Sequence, residues 1–168
     1  MHALGISGSP REKGNTGIVV NKVLDELKEK GWTTKYITLA KLSVNPCRAC
    51  DVCVNGGECG QNDDVEAISN EMKKADAIII GSPSYFQGPS AQLKALIDRC
   101  QATWARRYVL HNLPFSGRKG AFIAVGATRG KQLFDGSTLT VKYFFQAISV
   151  KYTDELLIRG VDKRGEIK

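Results

Sequence analysis

Four thiols fall within thirteen residues in the run Cys47-x-x-Cys50-x-x-Cys53-x5-Cys59. Three of them recur at every third position, so a loop can turn them around one compact inorganic core. Bacterial ferredoxins use a closely similar C-x2-C-x2-C run for that purpose. A four-cysteine zinc site usually sets two Cys-x-x-Cys knuckles further apart than this sequence does. The spacing leaves three chemistries open: an iron–sulfur cluster, free or redox-active thiols, and zinc. Asp51 and Glu58, interleaved with the cysteines, read as solvated loop charges. Cys100 lies on the apolar side of a helical pattern and reads as a small core residue.

The second chemically suggestive stretch is Gly5-Ile6-Ser7-Gly8-Ser9-Pro10-Arg11-Glu12-Lys13-Gly14-Asn15-Thr16-Gly17. An apolar run, Ala3–Ile6, leads into it, and an amphipathic run from Ile18 follows. A helix start carries unpaired N–H groups at the positive end of its macrodipole, which makes such a loop a ready anion site. Ser7, Ser9, Asn15 and Thr16 add neutral donors, and Arg11 adds a charged fork suited to phosphate. No Gly-Lys-Ser/Thr follows the glycines and no Gly-x-Gly-x-x-Gly is present, so neither a Walker loop nor a dinucleotide fingerprint applies. What remains is a phosphate cradle of hydroxyls and backbone. The plainer alternative is a polar loop in which Asn15 or Thr16 only caps the helix. A nucleophile elbow is set aside because Gly5-x-Ser7-x-Ser9 lacks the second glycine. With His2 and His111 the only histidines, a Ser–His hydrolase has little support.

These stretches need elements to hold them. Ala3–Ile6 predicts a buried strand, and Val20, Val23, Leu24 and Leu27 repeat at helical spacing up to a C-cap at Gly31. Thr33–Thr38 is β-branched and predicts strand two. An irregular segment from Leu39 to Asp64 carries the four clustered cysteines, a length that is uncommon unless it serves function. Val65, Ile68, Met72 and Ala75 mark a second helix opened by Asp63 or Asp64. The unbroken Ala77–Ile80 predicts a strand buried on both faces. It ends in the turn-rich Gly81–Pro89, and a third helix follows with Leu93, Leu96, Ile97, Cys100 and Trp104 on one side. Gly120–Val125 is a fourth strand, Val141, Phe144, Phe145 and Ile148 mark a fourth helix, and Asp154–Val161 is the last strand. Such alternation implies an α/β fold with a doubly wound parallel sheet. The loops at 7–16, 82–88 and 126–131 all follow carboxyl ends of strands, so they should converge on one ligand site near the point where strand order reverses.

Across 168 residues, hydrophobic types make up 42% and charged types 24%, as in ordinary globular proteins. The length predicts one domain, 1–168, with a cysteine-rich loop at about 43–62. The net charge of +7 is spread through pairs such as Arg106-Arg107, Arg118-Lys119 and Lys163-Arg164. That spread suits anionic cofactors, and the aromatic-plus-basic array of RNA-binding sheets is missing, so no nucleic-acid partner is expected. No apolar run approaches the ~20 residues of a membrane span, and the N-terminus has no signal-peptide pattern. The expected compartment is the cytoplasm, where clustered cysteines argue for metal or redox chemistry before disulfides.

With its loops so placed, the chain resembles the flavodoxin-like NADPH-dependent FMN reductases and, more narrowly, the iron–sulfur flavoproteins. The likeness rests on Gly5–Arg11 with Gly14-Asn15-Thr16, on Gly81-Ser82-Pro83-Ser84-Tyr85-Phe86, on the helix Ser90–Arg99 and on the cysteine spacing. It covers nearly the whole chain. The resemblance implies a flavodoxin-like five-stranded parallel sheet in order 2-1-3-4-5, with helices on both faces. By position it implies that Ser7, Ser9, Pro10, Arg11, Asn15 and Thr16 hold the FMN phosphate. Pro83, Ser84, Tyr85, Phe86, Gln87 and Gly88 would line the isoalloxazine and ribityl chain, although Tyr85 and Phe86 could be packing aromatics. Gly126, Ala127, Thr128, Arg129 and Gly130 would form the third wall. Cys47, Cys50, Cys53 and Cys59 would carry a [4Fe–4S] cluster.

The function implied is electron transfer from a ferredoxin or NAD(P)H to a small-molecule or protein acceptor, with no side chain required as acid or base. Arg106 and Arg107 are candidates for a nicotinamide 2′-phosphate, against a plain surface role. One rival is an NADPH-dependent FMN or quinone reductase whose cysteines are structural. The other is a zinc-stabilised binding module, with nucleic acid as the partner the charge would suggest. Family members usually continue past the last strand into a helix where this sequence has the polar stretch Lys163–Lys168, which predicts a homodimer or homotetramer covering the bare sheet face.

Overall fold

The computed structural model describes residues 1–113 and 117–167; the expected polar tail therefore ends, at Lys168, outside the described residues. Its elements in chain order are β1 (His2–Ser7), α1 (Asn15–Glu29), β2 (Thr33–Thr38), a 3-10 turn (Leu39–Lys41), α2 (Val52–Gly56), α3 (Val65–Lys74), β3 (Ala77–Tyr85), β4 (Gly88–Pro89), α4 (Ala91–Arg99), α5 (Gln101–Tyr108), β5 (Arg118–Gly126), α6 (Asp135–Ala147) and β6 (Val150–Arg159). The long strands are all parallel and run β2-β1-β3-β5-β6, while the two-residue β4 folds back antiparallel on the end of β3. Leaving β4 aside, this is the doubly wound order that the family resemblance implies, and it reverses between β1 and β3.

Alternation along the central strands sends side chains to two separate cores. Ala3, Ile79 and Ile123 face α1 and pack with Val19, Val20 and Leu24. Leu4, Ile6, Ile78, Ile80, Phe122 and Ala124 face the other way, against Ile68, Met72, Leu93, Leu96, Phe144 and Phe145. Both faces of β1, β3 and β5 are thus covered, which is why these strands read as unbroken apolar runs. Each fully buried side chain of this size contributes about 1.5–3 kcal/mol relative to exposure.

Several boundaries differ from the sequence expectation. β3 continues through Ser82–Tyr85, because β5 offers it partners as far as Pro83↔Val125 even though Gly-Ser-Pro-Ser has little strand propensity. β6 starts at Val150, four residues early, beside a register shift at Gly120/Ala121. The expected third helix is two: α4 ends and α5 begins around Cys100. α1 begins at Asn15 with Gly14 as its cap and no side-chain bond there, so neither Asn15 nor Thr16 caps the helix. The Leu39–Asp64 segment is irregular apart from the 3-10 turn and the five-residue α2.

Gly81 sets how closely α1 approaches the sheet. A Cβ at this position would lie 2.5 Å from Val20 Cγ2 and 2.8 Å from Thr16 Cγ2. Gly81→Ala is expected to lift the first turns of α1 and to cost about 1–3 kcal/mol by overpacking, read as a lower urea midpoint at unchanged slope.

Candidate functional site

Beyond the carboxyl ends of the strands a cleft of about 260 Å³ opens. Ser9, Arg11 and Gly14 line it from the first loop, and Asn15 and Thr16 from the start of α1. Pro83, Ser84 and Tyr85 come from β3, Val125, Gly126 and Ala127 from the end of β5, and Val161 and Asp162 from beyond β6. The three loops therefore meet as the topology requires, and a fourth segment joins them. Val161 and Asp162 were missed by the sequence reading, although the same carboxyl-edge rule applied to the last strand reaches them.

Hydrogen bonds fix the cleft's walls to one another. Ser90, 0% exposed, caps α4 by accepting from Leu93 N–H at 3.3 Å and donates to the Gly8 carbonyl at 2.5 Å. Gly8 N–H in turn donates to the Gly81 carbonyl at 2.8 Å. Ser84 Oγ donates to the Leu133 carbonyl at 2.8 Å, which ties β3 to the segment before α6. At the anion end, α1 has neither an acidic residue in its first turn nor a side-chain cap, so its positive end is left for a ligand.

The residues expected there divide into two groups. Ser7 and Ser9 are buried and engaged locally: Ser7 Oγ accepts from Ser9 N–H at 3.4 Å, and Ser9 Oγ accepts from Arg11 N–H at 3.1 Å. Pro10 is exposed beside the cleft and is not part of its lining. Arg11 Nη1 donates to the Asp162 carbonyl at 3.3 Å. Asn15 Nδ2 donates to the Lys163 carbonyl at 2.8 Å, and its Oδ1 accepts from Ile167 N–H at 3.3 Å, so its amide fastens the segment after β6. Phe86, Gln87, Gly88, Thr128, Arg129 and Gly130 also lie outside the lining. Gln87 instead holds α6, its carbonyl accepting from Ser137 N–H at 2.9 Å and from Ser137 Oγ at 3.2 Å. Thr128 and Gly130 carbonyls accept from Gly160 N–H at 3.2 Å and Arg159 Nε at 3.4 Å, bracing β5 against β6. Phe86 at φ 49 and Gln87 at φ 63 form a left-handed turn that glycine or asparagine would normally occupy, and Phe86 is fully exposed. Of the two arginine candidates, Arg107 is held by Ser149 Oγ at 2.6 Å and Arg106 by Thr103 Oγ1 at 3.4 Å.

The four cysteines of the loop line a second cavity, of about 270 Å³, together with Arg99 and Trp104. Left-handed residues at Ala49, Asp51 and Gly57 wind the chain around it. Ala49 N–H donates to Cys47 Sγ at 3.5 Å. Burial, with a smaller contribution from the neighbouring cysteines, pushes the Cys53 thiol above its ordinary value. Asp51 and Glu58 are exposed. Cys100 is buried outside the loop, and desolvation raises its thiol to about 12, in keeping with a core role.

Both ends of the loop are tied down by one buried pair. Arg99 donates through Nη1 to Asp63 Oδ2 at 2.5 Å and through Nη2 to Asp63 Oδ1 at 3.1 Å, with both side chains almost completely buried. Burial alone would raise the Asp63 carboxyl, but Arg99 and the N–H groups of Asn45 and Val65 outweigh it and hold the pKa below the usual range.

A sequence profile of the NADPH-dependent FMN reductases matches residues 1–152. An iron–sulfur flavoprotein of Methanocaldococcus jannaschii is 44% identical over 129 residues, covering 77% of this chain and 64% of that one. The chain thus spans just under two thirds of that relative's length. An iron–sulfur flavoprotein of Archaeoglobus fulgidus is 40% identical over 139 residues, covering 82% of this chain and 69% of its own length. Among solved structures, a flavone reductase superposes with a TM-score of 0.71 at 18% identity over 95% of this chain and 54% of that one, a likeness of fold.

Two changes test how the site is held. Ser90→Ala removes the α4 cap and the bond to the Gly8 carbonyl, and should cost about 1–3 kcal/mol in chemical denaturation. Asp63→Asn leaves the buried guanidinium uncompensated and should cost about 3–5 kcal/mol by the same measurement. Because the folded pKa of Asp63 is depressed, its contribution is fully present above the ordinary aspartate range and is lost as pH falls through the depressed value. The cost of Asp63→Asn should therefore shrink when denaturation is repeated in progressively stronger acid.

Proposed function

The chain belongs to the iron–sulfur flavoproteins of the NADPH-dependent FMN reductase family, and on that footing we propose that it is an electron-transfer oxidoreductase with FMN in the cleft and a [4Fe–4S] cluster on Cys47, Cys50, Cys53 and Cys59. Its donor is a ferredoxin or NAD(P)H, and its acceptor a small molecule or another protein. The observation that carries this reading is the pairing of two cavities in one small fold, one at an unneutralised helix start and one ringed by four thiols. When bound, FMN supplies two-electron chemistry and the cluster one-electron steps, so a chain holding both can split or merge electron pairs.

The chain's own residues bind and orient. The first-turn N–H groups of α1, with Arg11, Ser9 and Thr16, suit a phosphate. Pro83, Ser84 and Tyr85 on one side and Gly126 and Ala127 on the other suit the ring and ribityl chain, and glycine at 126 lets Leu133 pack against the backbone, where a Cβ would lie 2.6 Å from its Cδ2. Arg11, Tyr85 and Asp162 are the titratable side chains in the cleft lining, and no acid or base role is assigned to them. Among the described residues, no three His, Cys, Asp or Glu side chains converge closely enough to hold a single metal ion. The C-x2-C-x2-C spacing of the thiols around this cavity favours a polynuclear core over one zinc. A reducing cytoplasm would keep those thiols free for it. A homodimer or homotetramer would cover Phe86, Leu139 and Tyr143, large apolar side chains that this chain leaves exposed.

The test is anaerobic reconstitution with iron, sulfide and FMN. The protein should retain about one FMN and about four iron and four sulfide per chain, and Cys47→Ser should lose the iron and sulfide but keep the flavin. Flavin without iron or sulfide would make the protein a plain FMN or quinone reductase. One zinc per chain and no yellow colour would make it a binding module.

A further inference from the structure

We propose that Arg99 is a positioning residue for the cysteine-ligated centre, donating its Nε–H to the Cys59 thiolate and thereby fixing that ligand and raising the centre's reduction potential. The proposal rests on the cluster reading above and concerns a residue that lies outside the cysteine motif.

A guanidinium carries five N–H donors in a fixed fork. Four have acceptors: Nη1 donates to the Asn45 carbonyl at 3.0 Å and to Asp63 Oδ2, and Nη2 donates to the Gln61 carbonyl at 3.4 Å and to Asp63 Oδ1. Asn45 lies just before Cys47, while Gln61 and Asp63 lie just after Cys59, so these four bonds close the neck of the loop. The fifth donor, on Nε, is buried and has no partner among the described residues. The Arg99 side chain is 1% exposed, which denies that donor easy access to bulk water. Buried N–H groups almost always have acceptors, so an orphan that borders a cavity points to an acceptor belonging to the filled site. Cys59 is the acceptor on hand, because it borders the same cavity as Arg99 and lies two residues from Gln61, whose carbonyl the guanidinium already holds.

The choice of arginine follows from this geometry. A lysine has three donors, which the loop's neck alone would use up, and no planar fork to aim a further one. A charged N–H···S bond draws electron density from a ligand sulfur. That stabilises the more negative, reduced state of the centre and raises its potential. Asp63 keeps the guanidinium oriented and partly neutralised, so the effect on the centre acts mainly through the single Nε–H.

The full chain, reconstituted with iron, sulfide and FMN, decides the matter. In protein labelled with 15N-arginine, pulsed EPR of the reduced centre should show a nitrogen coupling that disappears in Arg99→Lys. The midpoint of Arg99→Lys should fall by about 59 mV or more, a tenfold shift of a one-electron equilibrium, at unchanged iron, sulfide and flavin content. A complete centre with no arginine coupling and an unmoved midpoint would show that Arg99 only closes the loop, and would overturn the proposal while leaving the cluster reading intact. Wild-type protein that takes up no iron or sulfide would overturn both. The isotope measurement needs no variant, so a misfolded Arg99→Lys still leaves the wild-type spectrum to refute or support the contact.

Discussion

The seat of α1 on β1 and β3 is the constraint on which the cleft depends. A helix start presents usable N–H groups to an anion only when it is held at the sheet edge. Gly5 and Gly81 permit that position, since a Cβ on Gly5 would lie 2.7 Å from both Leu24 Cδ1 and Val20 Cγ1, and one on Gly81 would meet Val20 at 2.5 Å. The helix rides closer to the sheet than side chains would allow, and Val20 and Leu24 fill the space the glycines leave. Ser90 then couples this arrangement to the neighbouring α4 through the Gly8 carbonyl. Packing and the anion end are in this way one structural unit: whatever moves α1 away from the sheet moves the helix start away from the cleft.

The cysteine loop is held by different physics. Cys47 and Cys50 are exposed and Cys53 and Cys59 only half-buried, so the loop has little apolar area with which to secure itself. Its neck is closed by the Arg99–Asp63 pair, which bridges α4 and the residues on either side of the loop. A buried ion pair adds little net stability over a well-packed apolar substitute, but it specifies geometry, and losing one partner is costly. That balance suits a segment that holds one shape while contributing little to the core.

Much of this could be read from the chain. A doubly wound parallel sheet followed from alternating elements, its strand order from the family resemblance, burial on both faces from Ala77–Ile80, and the meeting of three loops from the carboxyl-edge rule. The misses have physical reasons. Ser82-Pro83-Ser84 lacks strand propensity and is extended because β5 partners it as far as Pro83 and β4 pairs with Ser84 and Tyr85. Leu96, Cys100 and Trp104 keep a four-residue spacing across the break between α4 and α5, so periodicity alone saw one helix. Asn15 lines the cleft as expected, but nothing local foretold that its amide also bonds to Lys163 and Ile167, about 150 residues further along the chain. No local pattern encodes such a contact. Arg99 lies 36 residues from Asp63 and reads in sequence as one more charge near a helix end; only the fold shows it buried beneath the cysteines.

Backbone strain links the two sites. Six non-glycine residues have positive φ among the described residues, and four of them, Ala49, Asp51, Phe86 and Gln87, lie in the cysteine loop or at the turn beside the cleft. Each costs about 1–2 kcal/mol relative to a residue that tolerates the left-handed region. Glycine would remove the cost but would also let the chain sample other paths, since its freedom is regained in the unfolded and locally open states. Side chains at these positions narrow the alternatives, so the surrounding contacts fix one arrangement: Ser137 against the Gln87 carbonyl at the turn, and the Arg99–Asp63 pair at the neck of the loop. Strain concentrated in the segments that border the cavities, on a sheet packed from both faces, is what pre-organised sites require. The core supplies the stability that the loops give up to hold their shape.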